Sequence, residues 1–223
     1  MALGFKFHSV DSIWWLEWWL DRNKQYMRNK MGKAYANRKL EELRPAHDFY
    51  ETPHCMTEEL VKTGVLDGVK TIWDCCCGKY AITDVLEKHG FICFKNYIMY
   101  GDDYFRSKFQ KHECIVMNPP FKLFDKFVEK AKTEADLVCS IGKANYFGSH
   151  SRNITGLWEH LKYVYMFDRQ IAFDKPLRDD EKVECGMIVS GWFIWDMNYT
   201  GEPTLRVIDM QKYILKKSDK RKE

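Results

Sequence analysis

Asn118-Pro119-Pro120-Phe121 is the stretch of this chain whose residue types could do chemistry together. The Asn118 side chain offers one carbonyl acceptor and one amide donor. Its backbone carbonyl precedes an X–Pro bond, and Pro119 presents a carbonyl with no neighbouring N–H to compete. Acceptors set side by side suit an –NH2 group. Phe121 adds a flat apolar face able to stack on a planar ring. An Asn-Pro pair alone is an ordinary turn signal. The same pair followed by a second proline and an aromatic, straight after a buried strand, is far more specific.

Such a loop needs a strand beneath it. The apolar run Ile115-Val116-Met117 predicts one. It stops at Asn118, because neither a central strand nor a helix interior continues through two prolines. A rigid loop at the carboxyl end of a strand is where open α/β sheets bind ligands. Upstream, the pattern predicts a short helix over 56–61, a strand over 69–73, a turn over 74–80, a helix over 81–89 closed by Gly90, and a strand over 91–94. Downstream, Leu123, Phe124, Phe127, Val128, Ala131 and Ala135 make a helical apolar stripe, and 137–141 reads as the next strand. This alternation predicts a parallel α/β sheet. From Gly142 the pattern weakens. Gly142, Gly148 and Gly156, with Ser149 and Ser151, predict mobile loops. Strands are expected over 163–167 and 186–195, with a highly charged loop over 174–182 between them.

Asn118-Pro119-Pro120-Phe121 resembles the catalytic motif of S-adenosylmethionine-dependent amino methyltransferases, chiefly the DNA adenine N6-methyltransferases. The likeness continues in order along the chain, over about 49–195. Phe49-Tyr50-Glu51-Thr52-Pro53 resembles the segment whose aromatic and Thr-Pro residues contact the methionine part of the cofactor, which implies Tyr50, Thr52 and Pro53. Asp74-Cys75-Cys76-Cys77-Gly78 resembles the glycine-containing loop under the cofactor, implying Asp74, Cys76 and Gly78. There Asp74 would hold the cofactor's amino group or an ordered water. Asn96 stands nearest the acidic position that grips the ribose hydroxyls. Gly101-Asp102-Asp103-Tyr104-Phe105 resembles the segment whose Asp accepts from the cofactor's adenine amino group, implying Asp102 and Asp103. The chain departs from the pattern at Cys75 (usually Pro), at Tyr80 (usually a second Gly) and at Asn96 (usually acidic). Residues 168–173 loosely resemble an Arg-x-x-Phe strand end that helps form the target-base pocket, one residue longer than the pattern. No site residue is carried over from them.

The resemblance implies an α/β, Rossmann-like class I methyltransferase fold, an open, mostly parallel sheet with helices on both faces. It implies S-adenosyl-L-methionine as cofactor and no metal. The implied reaction is methyl transfer to the N6 amino group of adenine in duplex DNA, the base being flipped out to reach the site. The catalytic loop would be Asn118, Pro119, Pro120 and Phe121, in a small stand-alone enzyme of the kind phages carry. Other readings are methylation of adenine in RNA or of glutamine in a protein. A third is a nucleic-acid-binding protein of this fold that has lost the cofactor, which Tyr80 and Asn96 would favour.

At 223 residues the chain supports one sizeable core. The organisation expected is a basic, Trp-rich helical extension over 1–45, a methyltransferase domain over 46–210 and a basic tail over 211–223. In the extension, Trp14, Trp15, Trp18 and Trp19 share one face of a helix over 11–43. Net charge is only +3, but 1–45 and 206–223 carry +4 each and the remainder −5. Basic ends around an acidic body fit a polyanion such as DNA, and solvated termini give the same count. The eight cysteines lack paired zinc spacing and read as reduced core residues of a cytoplasmic protein. No signal-peptide pattern and no membrane span is expected.

Overall fold

A computed structural model of the chain describes residues 51–96, 103–169, 173 and 188–214. Contacts divide the chain into two units, Met1–Ala46 and His47–Glu223, and every described residue belongs to the second. Tyr50, Asp102, the Trp-rich helix, the charged 174–182 loop and the tail from 215 lie outside the described residues.

The strands are β1 (Thr71–Asp74), β2 (Ile92–Lys95), β3 (His112–Met117), β4 (Ala135–Lys143), β5 (Leu161–Phe167), β6 (Ser190–Asp196) and β7 (Thr204–Ile208). The helices are α1 (His54–Lys62), α2 (Ala81–Lys88), α3 (Phe124–Glu134) and α4 (His150–Ile154). Among the described residues seven strands form one sheet in the order β2-β1-β3-β4-β6-β5-β7. Neighbouring strands are parallel, except that β6 runs against both β4 and β5.

Alternation along the central strands sorts the core onto two faces. Cys114 and Val116 of β3 join Met56 and Leu60 of α1 and Ile82 and Leu86 of α2. Ile115 and Met117 join Phe124, Phe127, Val128 and Ala131 of α3 on the other side. Helices therefore cover both faces, as the motif order implied. Trp192, Phe193, Ile194 and Trp195 are fully buried, because β6 lies between β4 and β5 and both its faces are covered. Each indole N–H keeps a partner: Trp192 Nε1 donates to Met56 O at 2.8 Å, and Trp195 Nε1 to Leu157 O at 2.9 Å. Left unpaired, such a donor would cost about 1–3 kcal/mol. The first bond matters for the site, since it ties the first turn of α1 to the middle of the sheet.

Two expectations need correction. Gly142 is not in a mobile loop; it pairs with Gly191 inside the β4–β6 ladder. A Cβ there would stand 2.8 Å from the Phe193 ring, so the glycine admits that ring rather than loosening the chain. Gly148 ends a 3-10 helix over Ala144–Gly148, Ser149 and Ser151 flank and enter α4, and of these residues Gly156 alone lies outside strand and helix. Leu123 is not part of the α3 stripe. It precedes the helix, 38% exposed, and Phe124 begins the buried face. The edge strand β7 was not expected at all.

Candidate active site

Winding direction sets the position of the site. From β1 the chain crosses through α2 to β2 on one side, then returns to β3 on the other side of β1. The order reverses between β1 and β3, and the crevice beyond the carboxyl ends at such a reversal is where α/β sheets bind ligands. β1 ends at Asp74 and β3 at Met117, so Asp74 and Asn118 stand at the two strand ends beside that reversal.

A chain of contacts joins them. Asn118 Nδ2 donates to Thr52 Oγ1 at 3.0 Å. The Cys76 thiol lies against the Asn118 backbone, and Cys76 N–H donates to Asp74 Oδ1 at 3.1 Å. Thr52, Asn118, Cys76 and Asp74 thus form one cluster from three separate segments. Glu51 and Lys79 pair at 2.9 Å and tie the segment ahead of α1 to the glycine loop. Pro53 is the residue that α1 starts from, and Thr52 is almost wholly buried. Pro119 is buried and Pro120 half-buried.

Asp74 is 1% exposed, and its Oδ2 is buried with no hydrogen-bond partner. Burial pushes its carboxyl up to about 7; the Cys76 N–H bond and the Lys95 charge pull the other way. A buried carboxylate oxygen lacking a donor is what a site for an amino group requires. On this count the residues fit the cofactor that the resemblance implies.

The glycine loop adopts the backbone that the pattern requires. Gly78 has φ +51° and Tyr80 φ +72°. The left-handed region at Tyr80 disfavours a side chain by roughly 1–2 kcal/mol, which is why a glycine is usual at this place. Lys95 sits over the Tyr80 ring at 5.3 Å, so the ring leans toward β2. Asn96 stitches the loop to β2: its N–H donates to Asp74 O at 3.0 Å, and its carbonyl accepts from Cys77 N–H at 3.1 Å. Its side-chain Oδ1 accepts from Trp73 Nε1 at 3.2 Å. Asp103 spends its carboxylate on the following turn, accepting from Phe105 N–H at 3.0 Å and pairing with Arg106 at 3.3 Å.

Phe121 is half-buried. Its ring meets Phe173 edge-to-face at 6.2 Å, and its carbonyl accepts from Tyr146 Oη at 3.3 Å. Phe173 and Tyr146 are the neighbours that sequence reasoning missed. Phe173 ends the segment whose spacing was one residue too long, and only the fold shows that the extra residue still delivers its ring. Nothing in the sequence around Tyr146 marked it. Among the described residues no group of His, Cys, Asp and Glu could hold a metal ion.

No family model matches the chain, and no curated protein sequence matches it. Among solved structures, the chain is similar to a proposed class I S-adenosylmethionine-dependent methyltransferase from Listeria monocytogenes. The TM-score is 0.50 at 11% identity, over 73% of this chain and 66% of that one. A proposed RNA methyltransferase from Pyrococcus horikoshii aligns with TM-score 0.46 at 15% identity, over 69% and 91% of the two chains. A type I restriction-modification methyltransferase subunit from Streptococcus thermophilus aligns with TM-score 0.47 at 13% identity, over 76% and 49%. The fold assignment rests on the first of these together with the sheet itself: this chain has the Rossmann-like class I methyltransferase fold.

Proposed function

We propose that the protein is an S-adenosylmethionine-dependent methyltransferase acting on the N6 amino group of adenine in DNA. The observation that carries the reading is the continuous set of contacts from Thr52 through Asn118 and Cys76 to Asp74, at the reversal point of the sheet. It links the Asn118 loop to a buried carboxylate, Asp74, whose Oδ2 lacks a hydrogen-bond partner, which supports that reading.

When bound, the cofactor supplies a methyl group on a sulfonium, an excellent leaving group. Asp74 Oδ2 would accept from its amino group, with Gly78 and Pro53 bounding the same crevice. The chemical difficulty lies with the nucleophile, because adenine's amino lone pair is delocalised into the ring. Thr52 Oγ1 accepts from Asn118 Nδ2 and so fixes the side-chain amide. Asn118 Oδ1 and the Pro119 carbonyl would each take one N–H of that amine. Those bonds favour a pyramidal nitrogen and stabilise the positive charge forming on it. Phe121, with Phe173 against its edge, would stack on the flipped base. The two prolines keep the acceptors from moving, so little reorganisation accompanies the reaction.

Incubating the protein with radiolabelled cofactor and duplex DNA, RNA or protein tests the assignment. Label is expected in the DNA, on N6 of adenine. Label in RNA or protein alone would move the same chemistry to another substrate. A specific observation favours one other reading, a nucleic-acid-binding protein without cofactor: Asn96 already gives its acceptor to Trp73. Calorimetric titration with the cofactor separates the two, since that reading requires no binding.

A further inference from the structure

A cavity with a different chemistry lies away from the crevice. β5 starts where β6 ends, with Leu161 opposite Trp195, and Trp195 pairs with Val138 near the start of β4. The loop ahead of β5 and the turn from β6 to β7 are therefore at the end of the sheet opposite the Asn118 loop. Together with Phe147, from the 3-10 helix that follows β4, they line a cavity of about 590 Å³.

Aromatic rings form much of its wall. Phe147 is 41% exposed, and its ring meets that of Trp158 at 4.7 Å. Trp158 stacks in turn on Phe193 and Trp195, at 5.9 and 6.3 Å, so this wall is anchored in the core. Tyr199 lines the cavity from the other loop. Glu159 and Glu202, both exposed, add one carboxylate from each loop. Among the described residues neither carboxylate has an ion-pair partner. The neighbouring cations are engaged elsewhere: Lys162 pairs with Asp196 at 2.9 Å, and Lys132 donates to Gly156 O at 3.0 Å. Lys162 also holds its ammonium 5.6 Å from the centroid of the Tyr199 ring, so that ring already attracts a cation. The two loops are tied together. His160 Nδ1 donates to Tyr199 O at 2.9 Å, and Tyr199 Oη donates to Glu202 O at 2.7 Å. Gly201 permits the second bond, since a Cβ there would stand 2.6 Å from Tyr199 Oη.

We propose that this cavity binds an arginine side chain of a partner polypeptide. A guanidinium meets both parts of the lining: its flat face stacks on aromatic rings, and its forked N–H groups match a carboxylate. Two carboxylates without partners repel a phosphate, so the cavity is not a nucleic-acid surface. Its volume is that of pockets for whole small ligands, which leaves room for residues beside the arginine. Loops already fixed to each other keep the cost of ordering low. A partner held at this end of the sheet leaves the crevice at the other end open. The inference does not depend on the methylation reading.

The test titrates the full chain into a fluorescein-labelled, N-acetylated peptide that carries arginines between alanines. Peptides with lysine or citrulline in the same places are run beside it, and free arginine is the competitor. The wild type should bind the arginine peptide saturably, the lysine peptide more weakly and the uncharged citrulline peptide not at all. Glu202→Gln should weaken binding by about two- to fivefold, the worth of one exposed ion pair. Phe147→Leu leaves the charge unchanged and should weaken binding by about as much, through the lost ring. That variant separates the cavity from general attraction of a cationic peptide. If it does not fold, Glu159→Gln combined with Glu202→Gln takes its place and should abolish the preference for arginine over citrulline. A wild type that does not bind the arginine peptide, or that binds the lysine peptide equally well, overturns the proposal. So does unchanged affinity in the folded variants. Free arginine binding as tightly as the peptide would overturn a polypeptide as the ligand.

Discussion

Asn118 and Asp74 are the residues on which the account turns, and they make separable predictions. Asn118→Ala removes one of two amine acceptors. Loss of a single preorganised hydrogen-bonding group in comparable sites costs about 10²–10³ in kcat. The change leaves untouched the contact proposed for Asp74, so calorimetry should return nearly the wild-type affinity. The substitution also strips buried Thr52 Oγ1 of its donor, at about 1 kcal/mol of stability. Asp74 predicts a pH dependence. Its carboxyl titrates near about 7 in the folded protein, far above an exposed aspartate. Ionisation is therefore disfavoured by folding, and stability from this group is full below the unfolded value and falls as pH rises through about 7. Cofactor binding runs the opposite way, because a cationic amino group prefers the ionised form. Titration at pH 6 and pH 8 should show tighter binding at the higher pH, with proton release at the lower. Asp74→Asn should weaken binding and flatten this dependence; a wild-type affinity independent of pH would contradict the role given to Asp74.

At the scale of elements, β6 is the strand that fills the middle of the sheet most tightly. It is the antiparallel strand wedged between β4 and β5, and it leaves no room for a side chain at Gly191. A Cβ there would meet the Tyr165 carbonyl oxygen at 2.3 Å, and paired strands on both sides prevent retreat. Gly191→Ala should cost about 1–3 kcal/mol, the usual range for overpacking. A chain of this size loses about 2–4 °C of melting temperature per kcal/mol, so thermal unfolding reads the effect directly. Central elements were legible in the sequence for a physical reason. β1, β3, β4 and β6 are buried on both faces and read as apolar runs, and α2 and α3 carry period-matched stripes. β7 was not legible, because Thr204 to Val207 are exposed at the sheet edge and show no buried pattern. Gly142 misled because glycine after an apolar run signals a turn, whereas here it makes room for Phe193, some 50 residues away in sequence. The motif loops were legible as residue types in order. The bond from Asn118 to Thr52 was not, since it spans 66 positions and only the folded sheet closes that distance.

For the molecule as a whole, charge and fold point the same way. The net +4 of 1–45 and, of the +4 in 206–223, the +3 of 215–223 are positive charge outside the described residues. A protein built this way should bind duplex DNA with an affinity that falls steeply as salt rises. Among the described residues no helix is long and apolar enough to cross a membrane. The described cysteines are all free thiols, and burial pushes those of Cys55 and Cys77 up to about 12. They should stay protonated and slow to react near neutral pH, which a thiol-labelling time course on the folded protein would read. The measurement that bears most directly on the central claim is transfer of labelled methyl to duplex DNA, run beside cofactor calorimetry on the wild type and Asn118→Ala. The account predicts cofactor binding in both proteins and transfer to adenine about 10²–10³ slower in the variant than in the wild type. Equal transfer by the variant, or a wild type that binds no cofactor, would contradict it.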